Sequence, residues 1–252
     1  MSPEASETEL KKAYRKKALA LHPDGGMAYS AGRRVVARDA KGRERTFEAP
    51  STARGLAFAP KGYRLAVAHY NGASLWFVNS KDDKPRVLEW KGAHAAIAIS
   101  PDGSHVVTAM QENALHGWRL ADGQHMRMSG YPAKTRSLSF TARGRWLATS
   151  GADSVVIWPF HGGGPMGKAP TELAGGDGVL CTAVACHPQH EVVAAGFADG
   201  LVLLSEIASG KVVPVAPPGG GGVSALAWNG AGTHLAFGTE IGFAGVVDLS
   251  RR

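Results

Sequence analysis

A repeat of about forty residues constrains this chain more than any other feature of its sequence. A short apolar strand leading into a turn recurs five times. The copies are Gly55-Leu56-Ala57-Phe58 before Pro60-Lys61-Gly62, Ala96-Ile97-Ala98-Ile99 before Pro101-Asp102-Gly103, and Ser137-Leu138-Ser139-Phe140 before Arg143-Gly144. Ala183-Val184-Ala185-Cys186 before Pro188 and Ala225-Leu226-Ala227-Trp228 before Gly230-Ala231-Gly232 complete the set. With Phe58, Ile99, Phe140, Cys186 and Trp228 taken as equivalent, the spacings are 41, 41, 46 and 42 residues. The excess of the long spacing lies in Gly162-Gly163-Gly164-Pro165, which reads as a loop insertion.

Each copy continues in one order. A strand of small residues follows the turn, at Leu65–His69, Val106–Met110, Leu147–Ser150, Val192–Gly196 and Leu235–Gly238. A polar or Gly turn comes next, then a third strand marked by Trp76, Trp118 and Trp158, with Leu204 and Val246 in that place in the last two copies. A weaker fourth strand follows, as at Arg86–Trp90. Four short strands cannot bury both faces of their own sheet, so the copies must stack radially. The expectation is an all-β chain over residues 27–252, a β-propeller of four-stranded blades. The 33 glycines, against the roughly 7% share usual in proteins, suit its many tight turns. Strands at Ala28–Ser30, Val35–Asp39 and Arg45–Glu48 make the count five blades, or six with one incomplete. The last copy stops after its third strand, and a segment near 43–49 is expected to fill the empty fourth place and remove a free edge.

The stretch Leu147-Ala148-Thr149-Ser150-Gly151-Ala152-Asp153-Ser154-Val155-Val156-Ile157-Trp158 resembles the WD-repeat pattern, as does Ser100-Pro101-Asp102-Gly103. The likeness is greatest to divergent bacterial members of that family. It implies a buried hydrogen-bonded set of a turn Asp, a strand Ser or Thr, the Trp and an upstream His. Asp153, Thr149 or Ser150, and Trp158 match three of these places; the upstream Gly-His pair is missing, and Trp76, Trp118 and Trp158 are followed by Phe, Arg and Pro rather than Asp.

Residues 1–24 stand outside the five copies. Ser6 and Glu9 form a capping-box start, and Leu10, Ala13, Tyr14, Ala18 and Leu21 fall at helical spacing. One short amphipathic α-helix is expected over residues 6–21, stopped at His22 by the proline that follows. With its His22-Pro23-Asp24 end, this stretch resembles the second helix and loop of a J-domain, the co-chaperone module of the DnaJ family. The resemblance implies that Lys11, Lys12, Arg15, Lys16, His22, Pro23 and Asp24 would contact a heat-shock chaperone ATPase. The module's first and third helices have no counterpart here. His22-Pro23-Asp24-Gly25 also resembles Ser100-Pro101-Asp102-Gly103, which offers a blade turn as the other reading.

Charge and chemistry narrow the function. Residues 1–50 hold 11 Lys and Arg against 7 Asp and Glu, so they contribute 4 of the net +7. The basic run Arg33 to Arg45 is interrupted by Asp39 and Glu44, and nucleic acid is not the expected partner. No apolar run reaches the length of a membrane span, and no secretory leader is apparent. Two cysteines suit a reducing compartment, so the cytoplasm is expected. Cys181, Cys186, His187 and His190 invite a zinc reading, but residues five apart on a strand face opposite ways, and no metal is expected. Neither a Gly-x-Ser-x-Gly elbow nor a Walker-type loop occurs. Asp102, Asp153 and Asp199 read as turn formers rather than as the converging carboxylates of a propeller enzyme. The expectation is a non-enzymatic protein-interaction scaffold without a cofactor. A co-chaperone and a propeller enzyme are the alternatives.

Overall fold

A computed structural model describes residues 19–59, 62–80 and 84–250. It divides into two compact units, residues 1–99 and 100–252. The described chain is all-β and made of propeller blades, in three sheets of four strands, one of six that holds two blades, and one of three.

The first unit opens with blade I, in which β1 (Leu19–Leu21), β2 (Met27–Ala31), β3 (Arg34–Arg38) and β4 (Glu44–Glu48) lie side by side in chain order. Blade II follows with β5 (Gly55–Phe58), β6 (Arg64–Phe77) and β7 (Arg86–Ile99). β6 holds two strands of the repeat. Its first leg pairs Leu65 with Phe58 of β5, and its second pairs Leu75 with Arg86 of β7. Asn71 and Gly72, with φ of 65° and 134°, turn the chain between the legs. The C-terminal half of β7 is in sequence the first strand of the second copy, so one continuous strand serves two repeats.

The second unit carries the rest of that copy, blade III, as β8 (His105–Met110), β9 (Leu115–Arg119) and β10 (His125–Met128). Blade IV is β11 (Leu138–Phe140), β12 (Trp146–Thr149), β13 (Ser154–Pro159) and β14 (Thr171–Gly175). Blade V is β15 (Cys181–Cys186), β16 (Val192–Phe197), β17 (Val202–Glu206) and β18 (Val212–Ala216). The terminal sheet is β19 (Val223–Trp228), β20 (His234–Thr239) and β21 (Ala244–Asp248).

Blades cohere because each sets a face of small residues against larger ones. Ala183, Ala185, Ala194 and Ala216 of blade V are buried with Val223 and Leu235 of the terminal sheet, and Trp228 and Phe237 pack against them. Cys181, Val184, Val193 and Phe197 meet Ala148, Val155 and Ile157 of blade IV. In the first unit Phe47 and Trp76 bridge blades I and II, ring centroids 5.5 Å apart. Gly196 marks how closely two blades approach: a Cβ there would stand 2.4 Å from the Val223 side chain.

Two expectations are corrected. The amphipathic helix over 6–21 lies mostly outside the described residues, and its described end, Leu19–Leu21, is strand. Leu-Ala-Leu fits an alternating pattern as well as a helical one, and the pairing of Leu19 with Tyr29 and Leu21 with Met27 decides it. No helix occurs among the described residues. The segment near 43–49 does not complete the last copy either, because β4 pairs with β3, Glu44 opposite Arg38 and Glu48 opposite Arg34.

Candidate interaction face

Four copies turn from the first strand to the second through one device, in which the N–H of the fourth turn residue donates to the carbonyl of the first: Gly25 to His22 at 2.9 Å, Gly103 to Ser100 and Gly144 to Thr141 at 2.8 Å, Gly232 to Asn229 at 3.0 Å. The side chain of the first residue often accepts again. Asn229 Oδ1 takes the N–H groups of Thr233 and His234 at 2.8 and 3.0 Å. His187 Nδ1 takes those of Gln189 and His190, both at 3.1 Å. His22 Nδ1 takes that of Asp24 at 3.2 Å.

His22-Pro23-Asp24-Gly25 is therefore the first-to-second-strand turn of blade I. The His22 ring is buried against Phe58 and Tyr63, at centroid distances of 5.2 and 4.2 Å. The residue that the resemblance assigned to a chaperone contact is thus a buried turn residue. Pro23 and Asp24 are exposed; Lys11, Lys12, Arg15 and Lys16 lie outside the described residues.

The WD-like polar set is present in altered form in blade IV. The Trp158 indole N–H donates to the Tyr131 hydroxyl at 2.6 Å. Tyr131 donates to Thr149 Oγ1 at 2.7 Å, and Thr149 donates to the Val156 carbonyl at 3.0 Å. Burial pushes the Tyr131 phenol up to about 12. Tyr131 thus stands where the resemblance implied a histidine, and Thr149 rather than Ser150 belongs to the set. Ser150 Oγ instead accepts the N–H groups of Arg136 and Ser137, both at 3.1 Å. The Asp153 carbonyl receives the Gly176 N–H at 3.0 Å. Trp76 and Trp118, like Trp158, are buried in their blades, with the His116 ring edge-on to Trp118 at 4.7 Å.

Three of the four residues of the zinc reading have hydrogen-bond partners of their own, and the His190 ring lies 4.8 Å from that of His187. Cys186 Sγ lies 3.2 Å from the Ser139 carbonyl and Cys181 Sγ 3.7 Å from that of Ala183. Burial pushes both thiols up to about 12. Both His187 nitrogens are committed to backbone, Nε2 to the Gly232 carbonyl at 3.0 Å.

Around His187 the turns of blades IV and V and of the terminal sheet line an open cavity of about 980 Å³. Its wall is aromatic, with the His187 ring edge-on to Trp228 at 4.7 Å. Its rim carries both signs of charge: Arg143, Arg145, Glu191, Glu206 and Asp248. Arg145 and Glu191 approach to 3.8 Å, and His234 and Asp248 to 3.7 Å. Gly232 lets the wall close, since a Cβ there would fall 2.2 Å from the His187 ring and its φ is +71°. Burial holds His187 below the ordinary histidine range, against the raising effect of its bond to the Gly232 carbonyl. Ser250 on the rim donates its hydroxyl to the Asp248 carboxylate, and among the described residues no group of three or more His, Cys, Asp or Glu is gathered to hold a metal.

The chain is 25% identical over 123 residues to a rice (Oryza sativa subsp. japonica) protein titled "Small ribosomal subunit protein RACK1z". That match covers 48% of this chain and 37% of the rice protein. It is 26% identical over 153 residues to "Autophagy-related protein 16" of Arabidopsis thaliana, covering 59% of this chain and 29% of that protein. The chain is built of β-propeller blades, and over about half of its length it is similar to these relatives. It spans less than two fifths of the length of the curated relatives it matches. No protein-family model matches it.

The expected markers sample the blade interiors, and of the rim the sequence reading reaches His187 and His190 only as a zinc set and Arg143 only as a turn residue. Arg143 and His190 stand at the turn of each copy, and that position is the signal that could have singled them out.

Proposed function

We propose that this chain is a non-enzymatic protein-interaction scaffold that binds a peptide segment of mixed charge at the turn face of blades IV and V and the terminal sheet. The observation that carries this reading is the 980 Å³ cavity, with an aromatic wall and a rim that bears both signs of charge. Blades hold such a rim still, while the side chains on their turns vary freely, which is how a rigid fold presents a binding surface. An aromatic wall supplies buried contact area and the charged rim supplies register and discrimination.

The test is capture from the native host with wild type and with Arg145→Glu/His190→Glu, both proteins first shown to melt at the same temperature. The expected result is a defined set of proteins retained by wild type and lost by the variant. Retention of the same set by both would overturn the reading. So would turnover of a small-molecule substrate that depends on the rim.

A further inference from the structure

The one spacing of the repeat that departs from 41 or 42 residues, the 46 between Phe140 and Cys186, holds a segment with a structure of its own. In residues 161–168 the Lys168 ammonium donates to the His161 carbonyl and, at 3.0 Å, to the Gly164 carbonyl, closing the segment on itself. Gly164 and Pro165 are buried, and Met166 is exposed. By chain order the segment belongs to blade IV, yet it lies on blade III. A Cβ on Gly164 would stand 2.8 Å from Met126 Sδ and 3.8 Å from His105 Nε2, and one on Gly163 would stand 3.4 Å from Arg119 Nη1. The segment is a strap from one blade over its neighbour.

Beneath it is a titratable ring. His105 opens β8 and is 7% exposed, with Phe160 edge-on at 5.5 Å. Its Nδ1 lies 2.6 Å from Ser104 Oγ, which in turn lies 2.7 Å from both carboxylate oxygens of Asp102. Ser104 has one proton to give and the carboxylate is the stronger acceptor, so the neutral ring carries its proton on Nδ1 and donates it to Ser104. Nε2 is then a bare lone pair, buried, without a hydrogen bond and turned towards the strap.

A second proton on this ring meets opposing effects. Burial disfavours it; the Asp102 charge favours it, Arg119 opposite on β9 disfavours it, and the Gly163 carbonyl and Asp122 favour it. Arg119 is itself paired with Asp122, Nε to Oδ1 at 2.9 Å. The strap's own titratable groups are Lys168, turned to its carbonyls, and His161, edge-on to Trp146 at 5.4 Å. Burial outweighs the rest and holds His105 below the ordinary histidine range. The ring takes a proton more readily once uncovered. The closed strap is therefore fully favoured above about 6.5, the ordinary value, and loses ground as pH falls from there.

We propose that residues 161–168 are a strap that acid releases: protonation of His105 lifts them from blade III and uncovers Met126. The device is separate from the charged cavity and stands or falls without it.

The test reads methionine oxidation in the full chain by dilute hydrogen peroxide, a reaction nearly insensitive to pH between 5 and 7.5, with each sulfoxide located by peptide mass spectrometry. Met166 is the exposed reference, and Met128, buried two residues along the same strand, reports opening of the blade itself. In wild type the oxidation of Met126 relative to Met166 is expected to rise several-fold from pH 7.5 to 5, with Met128 unchanged. His105→Gln, which cannot titrate, is expected to abolish the rise. Asp102→Asn removes the charge that favours the proton, so the rise is expected to move to lower pH. His161→Gln is expected to leave it as in wild type. A flat wild-type profile, a rise that survives His105→Gln or disappears in His161→Gln, a shift to higher pH in Asp102→Asn, or Met128 oxidised in step with Met126 would each overturn the proposal.

Discussion

Tyr131 holds blade IV through one oxygen that both accepts and donates. Tyr131→Phe keeps the ring in place but leaves the Trp158 N–H and the Thr149 hydroxyl without that partner inside the blade. The expected cost is about 1–3 kcal/mol, read as a lower denaturant midpoint with an unchanged slope. Trp158→Ala also empties a buried volume and is expected to cost about 3–5 kcal/mol. Because the two residues share one network, the double variant should cost less than the sum. His187 carries a pH signature of its own. Its folded form is neutral, with Nδ1 accepting two N–H groups, and burial lowers its pKa. A depressed folded value means that the unfolded chain binds the proton more readily. Stability is then fully present above the unfolded value of about 6.5 and is lost as pH falls from there through the lowered folded value. His187→Asn is expected to flatten this dependence while keeping the turn, since Asn229 fills the same place in the terminal sheet. His105, also depressed by burial, adds a slope of the same sign.

At the scale of elements, the strands were legible wherever alternation and turn chemistry coincided, as at Ala96–Ile99 before Ser100-Pro101-Asp102-Gly103. Blade I's opening was not, because Leu19-Ala20-Leu21 serves both periods and lies behind a basic stretch at helical spacing. Only pairing with Met27–Ala31, which no local pattern encodes, separates the readings. Tyr131 escaped for a related reason: its partners lie 18 and 27 residues away, joined by the register of β12 against β13. The cavity rim was illegible because Arg145 and Glu191 meet only once two blades stack. The placement of β1 changes what truncation should do. If residues 1–24 were an appended helix, their removal would leave the blades untouched. They include β1 and the His22 turn, whose ring packs on Phe58 and Tyr63, so deletion uncovers the edge of β2 and part of the first unit's core. A lower melting temperature is expected on deletion, with loss confined to the first unit in hydrogen exchange.

At the scale of the whole molecule, two buried thiols report on the stacking of blades. Cys181 is in the cluster that joins blade IV to blade V, and Cys186 is tied across the same junction, its N–H donating to Ser139 Oγ at 2.9 Å. Burial pushes both thiols up to about 12, so almost no thiolate exists near neutral pH. Any reaction with a thiol reagent must therefore await an opening that separates the two blades. Repeat arrays open between neighbours rather than all at once, because each repeat contacts only those beside it. Labelling of the folded protein should then be slowed by the free energy of parting blades IV and V, and not by that of fraying at either end of the chain. Tyr131→Phe, which weakens blade IV from within, is expected to speed the labelling of both cysteines, while deletion of residues 1–24 is expected to leave it unchanged. The measurement is the labelling rate followed by intact-mass spectrometry under native conditions. Rapid labelling of either cysteine in wild type, or acceleration by the deletion equal to that by Tyr131→Phe, would show that the junction is not held as the packing of Cys181 and Cys186 requires.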